Sequence, residues 1–421
     1  MTTADERTAV KPLRRNRDFG LLWVGAGFSY LGSRVTALVY PMLLLWAGGS
    51  TLAAGLLGFT ALLPQLLVQL PAGAFVDRRD RRKLMIVCEL GIVLAVGSLV
   101  VPLLADRIWL PHLFAVAFVE GSLQVVYQLA ERSAVPQLVP REQLPAAYSG
   151  NEARTRAASM LGQPAGTGLF AVGAPVPLLL AIGTRVVALA SLLGIRGSFD
   201  ARRSTAPAAI LADIRDGIGW LWRRRFLRAV LLVLAGTNMI YQMLVFAMLP
   251  LFEEQGWSSG LVGVVVGASS VGGLLGALTA TLWMRVWGLR RILIGATAVW
   301  ALVTVLVAPT HNVVLIGALF AASGYVGGAF NVPALVYVMH ITPPEMQGRV
   351  GSVANLVSYG AMALGWAVEG PLLEAMTPRQ SIITMGAGLL LITLIAVLSP
   401  AIRRAVHPAE TKPLAPAASK G

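Results

Sequence analysis

Apolar residues in this chain come in long unbroken runs, not in the alternations or narrow stripes of a soluble fold. From Thr51 to Val76 no residue is charged; the next seven, Asp77 to Lys83, all are, and a second apolar run opens at Leu84. About 20 apolar residues cross the hydrocarbon of a bilayer, and tight basic turns stay on the cytoplasmic side. On this basis the chain divides into twelve predicted spans, near 19–46, 52–76, 84–105, 110–130, 153–172, 176–195, 227–250, 260–284, 290–308, 312–338, 350–373 and 381–402. The expected fold is an all-α integral membrane protein, with twelve transmembrane helices in two six-helix pseudo-symmetric halves around a central cavity.

Composition agrees with the pattern. Of 421 residues, 56% are hydrophobic and only 13% charged, against about 25% charged in soluble domains. A net charge of +14 would suggest nucleic acid in a soluble protein, but here the basic residues set topology. With the N-terminus inside, 30 of the 34 Lys and Arg residues fall on the inner side. Arg107 and Arg379 fall outside, and Arg34 and Arg185 lie within spans. Both termini are therefore expected in the cytoplasm, in the cell membrane. The first 18 residues lack a cleavable signal pattern, so the first span should be retained. Cys88, the only cysteine, offers no disulfide and no thiolate metal site.

The organisation predicted is a tail over 1–18, a six-helix bundle over 19–195, a cytoplasmic linker over 196–226, a second bundle over 227–402 and a disordered tail over 403–421. Ile210–Arg225 in the linker reads as an amphipathic helix with a Trp/Leu face for the bilayer interface. The two bundles repeat faintly. Arg290 and Arg291 overlay Arg82 and Lys83 at an offset of 208 residues, and Glu345 overlays Glu142 at 203. A duplicated six-helix unit suits a secondary transporter with its site between the halves.

Charges inside spans are costly and mark functional candidates. Glu120 lies ten residues into the fourth span, about 15 Å deep at 1.5 Å per residue. Glu120, Gln124, Tyr127, Gln128 and Glu131 share one helix face, which fits a water-filled cavity or, alternatively, a buried packing stripe. Arg34 is within reach in depth and is the expected partner of Glu120. Asn238, Tyr241 and Gln242 at mid-depth in the seventh span, with Tyr325 and Asn331 in the tenth, would make the cavity polar-aromatic where those spans face it. Such a cavity suits a bulky amphiphile, with a preference for cations unless Arg34 neutralises Glu120. Glu89 in the third span and Arg185 in the sixth are expected to snorkel or to pair with a neighbour. Glu369, near an outer span end, reads as interfacial.

The stretch Gly73-Ala-Phe-Val-Asp77-Arg78-Arg-Asp80-Arg81-Arg82 resembles the loop signature of the major facilitator superfamily, particularly its drug- and natural-product-exporter-like branch. Asp80 stands where the second glycine is usual. Gly348-Arg349-Val350 is a second match. Gln163-Pro164-Ala-Gly-Thr-Gly168 resembles the exporter element of the fifth span, with Gln163 at its first glycine. The resemblance spans nearly the whole chain. It implies spans 1, 4, 7 and 10 around the cavity, and Asp77 meeting the N-terminal end of span 11, where helix-dipole charge favours an anion. Gly73, Asp77, Arg78, Arg81, Arg82, Gly348 and Arg349 would then form an inner gate. The bland alternative is a basic turn that only sets topology. Acids common after the equivalent of Gly32 are replaced by Ser33, which leaves Glu120, with Arg34, as the proton-coupling candidate.

HExxH and GxxxxGK[ST] patterns are absent, as are ligand-spaced His/Asp clusters, so neither an enzyme nor an ATP-driven pump is expected. The expected function is proton-coupled efflux of a small amphiphilic molecule by a monomer, with no metal, cofactor or nucleic acid. The alternative is uptake or exchange of a small polar metabolite. The topology is tested by a tag at the C-terminus, which should label only after intact cells are permeabilised; labelling from outside would refute it.

Overall fold

In the computed structural model, which describes residues 13–105, 107–197, 215 and 217–400, long helices occupy all twelve expected positions. They are α1 (Arg17–Trp46), α2 with α3 (Thr51–Leu67, Gln69–Asp77), α4 (Arg81–Leu104), α5 (Leu110–Leu138), α6 (Leu144–Phe170) and α7 (Val176–Gly194) in the first half. The second half holds α8 (Arg225–Glu254), α9 (Ser259–Val286), α10 (Leu289–Val307), α11 (Val313–Ile341), α12 (Pro344–Ala375) and α13 (Pro378–Leu398). Among the described residues ten are long and apolar enough to cross a membrane, and α2 with α3, bent by 55°, adds an eleventh when the pair is counted as one span. The bend follows from Pro71, which has no N–H to offer the preceding turn. The remaining helix, α6, carries Glu152, Arg154 and Arg156 in its first half.

Local chemistry sets the helix ends. Asn16, Ser50, Asp80, Asn312 and Thr377 each accept a backbone N–H at the start of a helix, satisfying donors that the first turn leaves free. Asp80 accepts from the amides of Arg82 and Lys83 at 2.9 and 3.2 Å. The departure from glycine in the basic turn is thus the cap of α4.

The repeat becomes sharp in three dimensions. α1 and α8 are both 30 residues long and start 208 residues apart, as do α2 and α9, and α4 and α10. Gly48 and Gly256, also 208 apart, both turn the chain at positive φ (76° and 66°), a conformation that favours glycine. α10 is five residues shorter than α4, and α5 and α11 are accordingly offset by 203.

The halves meet along two seams, α2 on α12 and α6 on α9, which the repeat makes equivalent. Both seams lie toward the face opposite the basic turns. At one, a Cβ on Gly55 would reach the Trp366 carbonyl oxygen at 2.6 Å and Gly370 Cα at 2.9 Å. At the other, a Cβ on Gly263 would reach Pro164 Cα at 2.7 Å. Small residues bring the backbones this close. A hydrophobic cluster drawn from both halves, including Leu43, Leu57, Phe246, Met248, Phe252 and Trp366, closes the same side. Toward the basic turns, the hydrophobic clusters among the described residues each belong to one half. The molecule is joined on one face and divided on the other.

The linker differs from expectation. Residues 210–214 and 216 lie outside the described residues. Residues 217–222 are helical, but Leu221 is buried against a cluster with Leu227, Val350 and Val353, so this end packs on the second half. Trp222 stays exposed.

Candidate functional site

A cavity of about 430 Å³ lies between the halves, walled by α1, α2, α5, α6, α8 and α12. Glu120, Gln124 and Gln128 reach it from α5, Arg34 from α1 and Gln242 from α8. The rest of the expected cavity set lies elsewhere. Asn238, Tyr241 and Asn331 line a second cavity of about 270 Å³ within the second half, where Arg156 also reaches. Tyr325 points to α9, accepting hydrogen bonds from Thr279 Oγ1 and Trp283 Nε1 at 2.9 Å each. Tyr127 is wholly buried in the core of the first half. The polar stripe on α5 is therefore partly cavity wall and partly helix packing: Glu131, at its lower end, is buried against Arg154 at 3.0 Å.

Glu120 does not pair with Arg34. Its partner is Arg185 of α7, with Nη2 at 3.3 Å from Oε1. Thr36 Oγ1 donates to the same oxygen at 3.0 Å, and the Tyr40 hydroxyl donates to Oε2. The other Arg185 nitrogen, Nη1, donates to Ser29 Oγ at 2.9 Å and Gln124 Oε1 at 2.5 Å, and stands 3.5 Å from Glu89 Oε1. Four helices thus converge on one guanidinium that is 1% exposed, with Glu89 at 0% and Glu120 at 5%. Two buried carboxylates share one cation. Glu89 and Arg185, unassigned from sequence, form the centre of the site. The available signal was the cost of isolated charges: two basic residues, Arg34 and Arg185, and two acidic ones, Glu89 and Glu120, lie within spans of one half and need partners.

The basic turn is built differently from the expected gate. Asp77 lies 3.9 Å from Arg81 Nη2, with its side chain 37% exposed, so its ion-pair partner comes from its own turn and not from α12. Among the described residues a Cβ added to Gly73 would meet nothing within 4 Å, so none of the described helices approaches there in this conformation. The physical reason is the division of the halves at this face. Arg82 donates from Nε and Nη2 to the carbonyls of Leu192 and Leu193, both at 2.9 Å; it caps the C-terminal end of α7, where a cation is favoured. Arg78 is exposed. Gly348 and Arg349 lie in the second turn of α12, and the Arg349 backbone packs under Gly217. Pro164 and Gly168 belong to the α6–α9 seam, against Gly263, Gly267 and Gly260. Glu369 is fully buried, not interfacial, and accepts from Ser381 Oγ at 2.7 Å. Gly256–Gly260 spells Gly-x-Ser-x-Gly, but it forms the turn between α8 and α9, with Ser258 at the helix N-cap, and no strand precedes it as in a hydrolase elbow. Among the described residues no group of His, Cys, Asp or Glu could hold a metal ion.

The Major Facilitator Superfamily model matches residues 22–365 and 241–420. The chain belongs to the Major Facilitator Superfamily. It is a membrane transporter, not an enzyme, and falls with the drug-exporter-like branch. The multidrug efflux pump Tap of Mycolicibacterium fortuitum is 28% identical over 398 residues, covering 91% of this chain and 95% of that protein. The Tap of Mycobacterium tuberculosis (strain ATCC 25618 / H37Rv) is 26% identical over 389 residues, covering 88% and 91%. Macrolide efflux protein A of Streptococcus pyogenes is 24% identical over 396 residues, covering 91% and 95%. Among solved structures, the nucleoside transporter NupG superposes with a TM-score of 0.70 at 12% identity, covering 92% of this chain and 98% of the other. A bacterial homologue of the iron transporter ferroportin in an inward-facing state also reaches 0.70, at 18% identity, covering 92% and 99%. These two likenesses establish the fold.

Removing Arg185 leaves two buried carboxylates without a counter-charge, a change that costs about 3–5 kcal/mol in buried pairs. Arg185→Met should therefore lower the melting temperature of the detergent-purified protein sharply, and adding Glu89→Gln should recover part of the loss. An Arg185→Met protein as stable as the wild type would show that the cluster does not hold the half together.

Proposed function

We propose that this transporter is a secondary active exporter that moves a small amphiphilic molecule out of the cell in exchange for protons. Its basic turns face the cytoplasm, so the divided face opens inward and the closed seams face outward. Substrate enters the central cavity from the cytoplasm, and the halves rock about it. The relatives named as efflux pumps match over nearly their full length, which supports export over uptake.

The observation that carries the coupling is the position of Glu120. Its carboxylate lies on the cavity wall and is at the same time an ion-pair partner of Arg185. A proton arriving through the cavity can reach it. Once neutral, Glu120 no longer attracts Arg185, which keeps Glu89 as its remaining carboxylate. The tie from α5 to α7 loosens, together with the tie through Thr36 and Tyr40 to α1. A charge change at one residue then biases a packed two-state element. The cavity wall adds amides (Gln65, Gln163, Asn355) and rings (Tyr359, Trp366), which suit an amphiphile with an apolar body and a few polar groups.

Glu120→Gln is permanently neutral at this position. In proteoliposomes it should support substrate exchange without a gradient but fail to accumulate substrate when a pH gradient is imposed. Accumulation at the wild-type rate would remove Glu120 from coupling. A second test addresses the basic turn. Asp77 is part-exposed at the divided face, where closure would bring α12 toward it, and its charge would meet the start of that helix. Asp77→Asn should insert and fold normally yet lose most transport; full transport would mean that the turn only sets topology.

A further inference from the structure

The central cavity has two charged side chains on its wall, Glu120 and Arg34. They are not equivalent. Glu120 is held by Arg185, Thr36 and Tyr40, so its oxygens are engaged from behind the wall. Arg34 makes no hydrogen bond and no ion pair among the described residues, and its Nε is buried without a partner. Its base is fixed where α1 crosses α6: a Cβ on Gly162 would stand 2.5 Å from Arg34 Cβ and 3.0 Å from the Leu31 carbonyl oxygen. Arg34 is therefore the charged side chain of this wall whose donors stay open. The anchor on this wall thus shifts from Glu120, whose oxygens are already engaged by Arg185, Thr36 and Tyr40, to Arg34.

A guanidinium keeps its charge at any physiological pH and offers a planar fork of donors that matches a carboxylate in two parallel hydrogen bonds. Left unpartnered in a membrane cavity it is costly, and an arriving anion removes that cost. Around it the wall is neutral, with amides to bind polar atoms and Tyr359 and Trp366 to pack an apolar body. We propose that Arg34 is the anchor for an acidic group of the substrate, so that the cavity selects amphiphiles carrying a carboxylate over the same molecules without it. This rests on the export reading above and names the substrate class of that same cavity.

The probe is a xanthene dye pair sharing one skeleton: rhodamine 19, a free carboxylic acid, and rhodamine 6G, its ethyl ester. Binding is measured by fluorescence anisotropy on the full-length protein in detergent, and uptake in inside-out vesicles. Wild type should bind the acid about 10- to 100-fold more tightly than the ester, the range of a hydrogen-bonded charge pair. In Arg34→Gln the ratio should fall to about one, and in Arg34→Lys, which keeps the charge but not the fork, it should be intermediate. A wild-type protein that binds ester as well as acid overturns the proposal without any variant, as does a ratio that Arg34→Gln leaves unchanged. Vesicles separate the two readings. If both dyes are exported equally, export stands and the acidic anchor falls; if wild type neither binds nor moves either dye, both fall.

Discussion

One guanidinium organises the first half of this transporter. Arg185 is wholly enclosed, and α1, α4 and α5 each place an oxygen on it. A lone cation at this depth would be untenable, and so would either carboxylate alone. Each is tolerated because the others are there, which makes the packing of four helices a single condition. The same cluster touches the cavity through Glu120 and Gln124. The electrostatics that hold the bundle together are thus continuous with the surface that meets substrate. Neutralising one carboxylate changes both at once.

The seams between the halves work by a different physics. They contain few charges and depend on backbones that touch where glycine stands, at Gly55 and Gly370 on one side and Gly260 and Gly263 on the other. Such contacts have little directional bonding to break. Two equivalent seams placed symmetrically about the cavity let the halves pivot without tearing a hydrogen-bonded network. The rigid charge cluster inside one half and the weakly directional seams between halves are complementary: the first resists deformation, and the second permits motion.

Much of this was legible in the sequence. Span positions follow from apolar runs because lipid offers no other solution to the backbone, and the offset of 208 residues was visible in the paired basic turns before the helix starts sharpened it. The depth of Glu120 was also readable by counting residues from the span end. Its partner was not. Arg34 and Arg185 were both basic residues in spans, and only the packing of α5 on α4 and of α4 on α7 decides between them. Contacts 61 to 156 residues apart in the chain leave no local periodicity to read. The basic turn differs in another way. The family resemblance implied contact across the halves, whereas capping, by Asp80 at α4 and Arg82 at α7, governs its local geometry in this conformation.

The buried charges are distributed unevenly. Of the seven charged side chains buried among the described residues, Arg81, Glu89, Glu120, Glu131, Arg154 and Arg185 lie in the first half and Glu369 alone in the second. Though the halves descend from one repeated plan, they have divided the labour. The second half keeps a cavity lined mostly by neutral residues, among them Asn238, Tyr241 and Trp300, with Arg156 of the first half the charged residue on its wall. Replacing Asn238 or Tyr241 leaves the ionic wiring opposite intact. Neutral polar positions such as these can change without a compensating charge elsewhere, which the buried cluster of the first half does not allow.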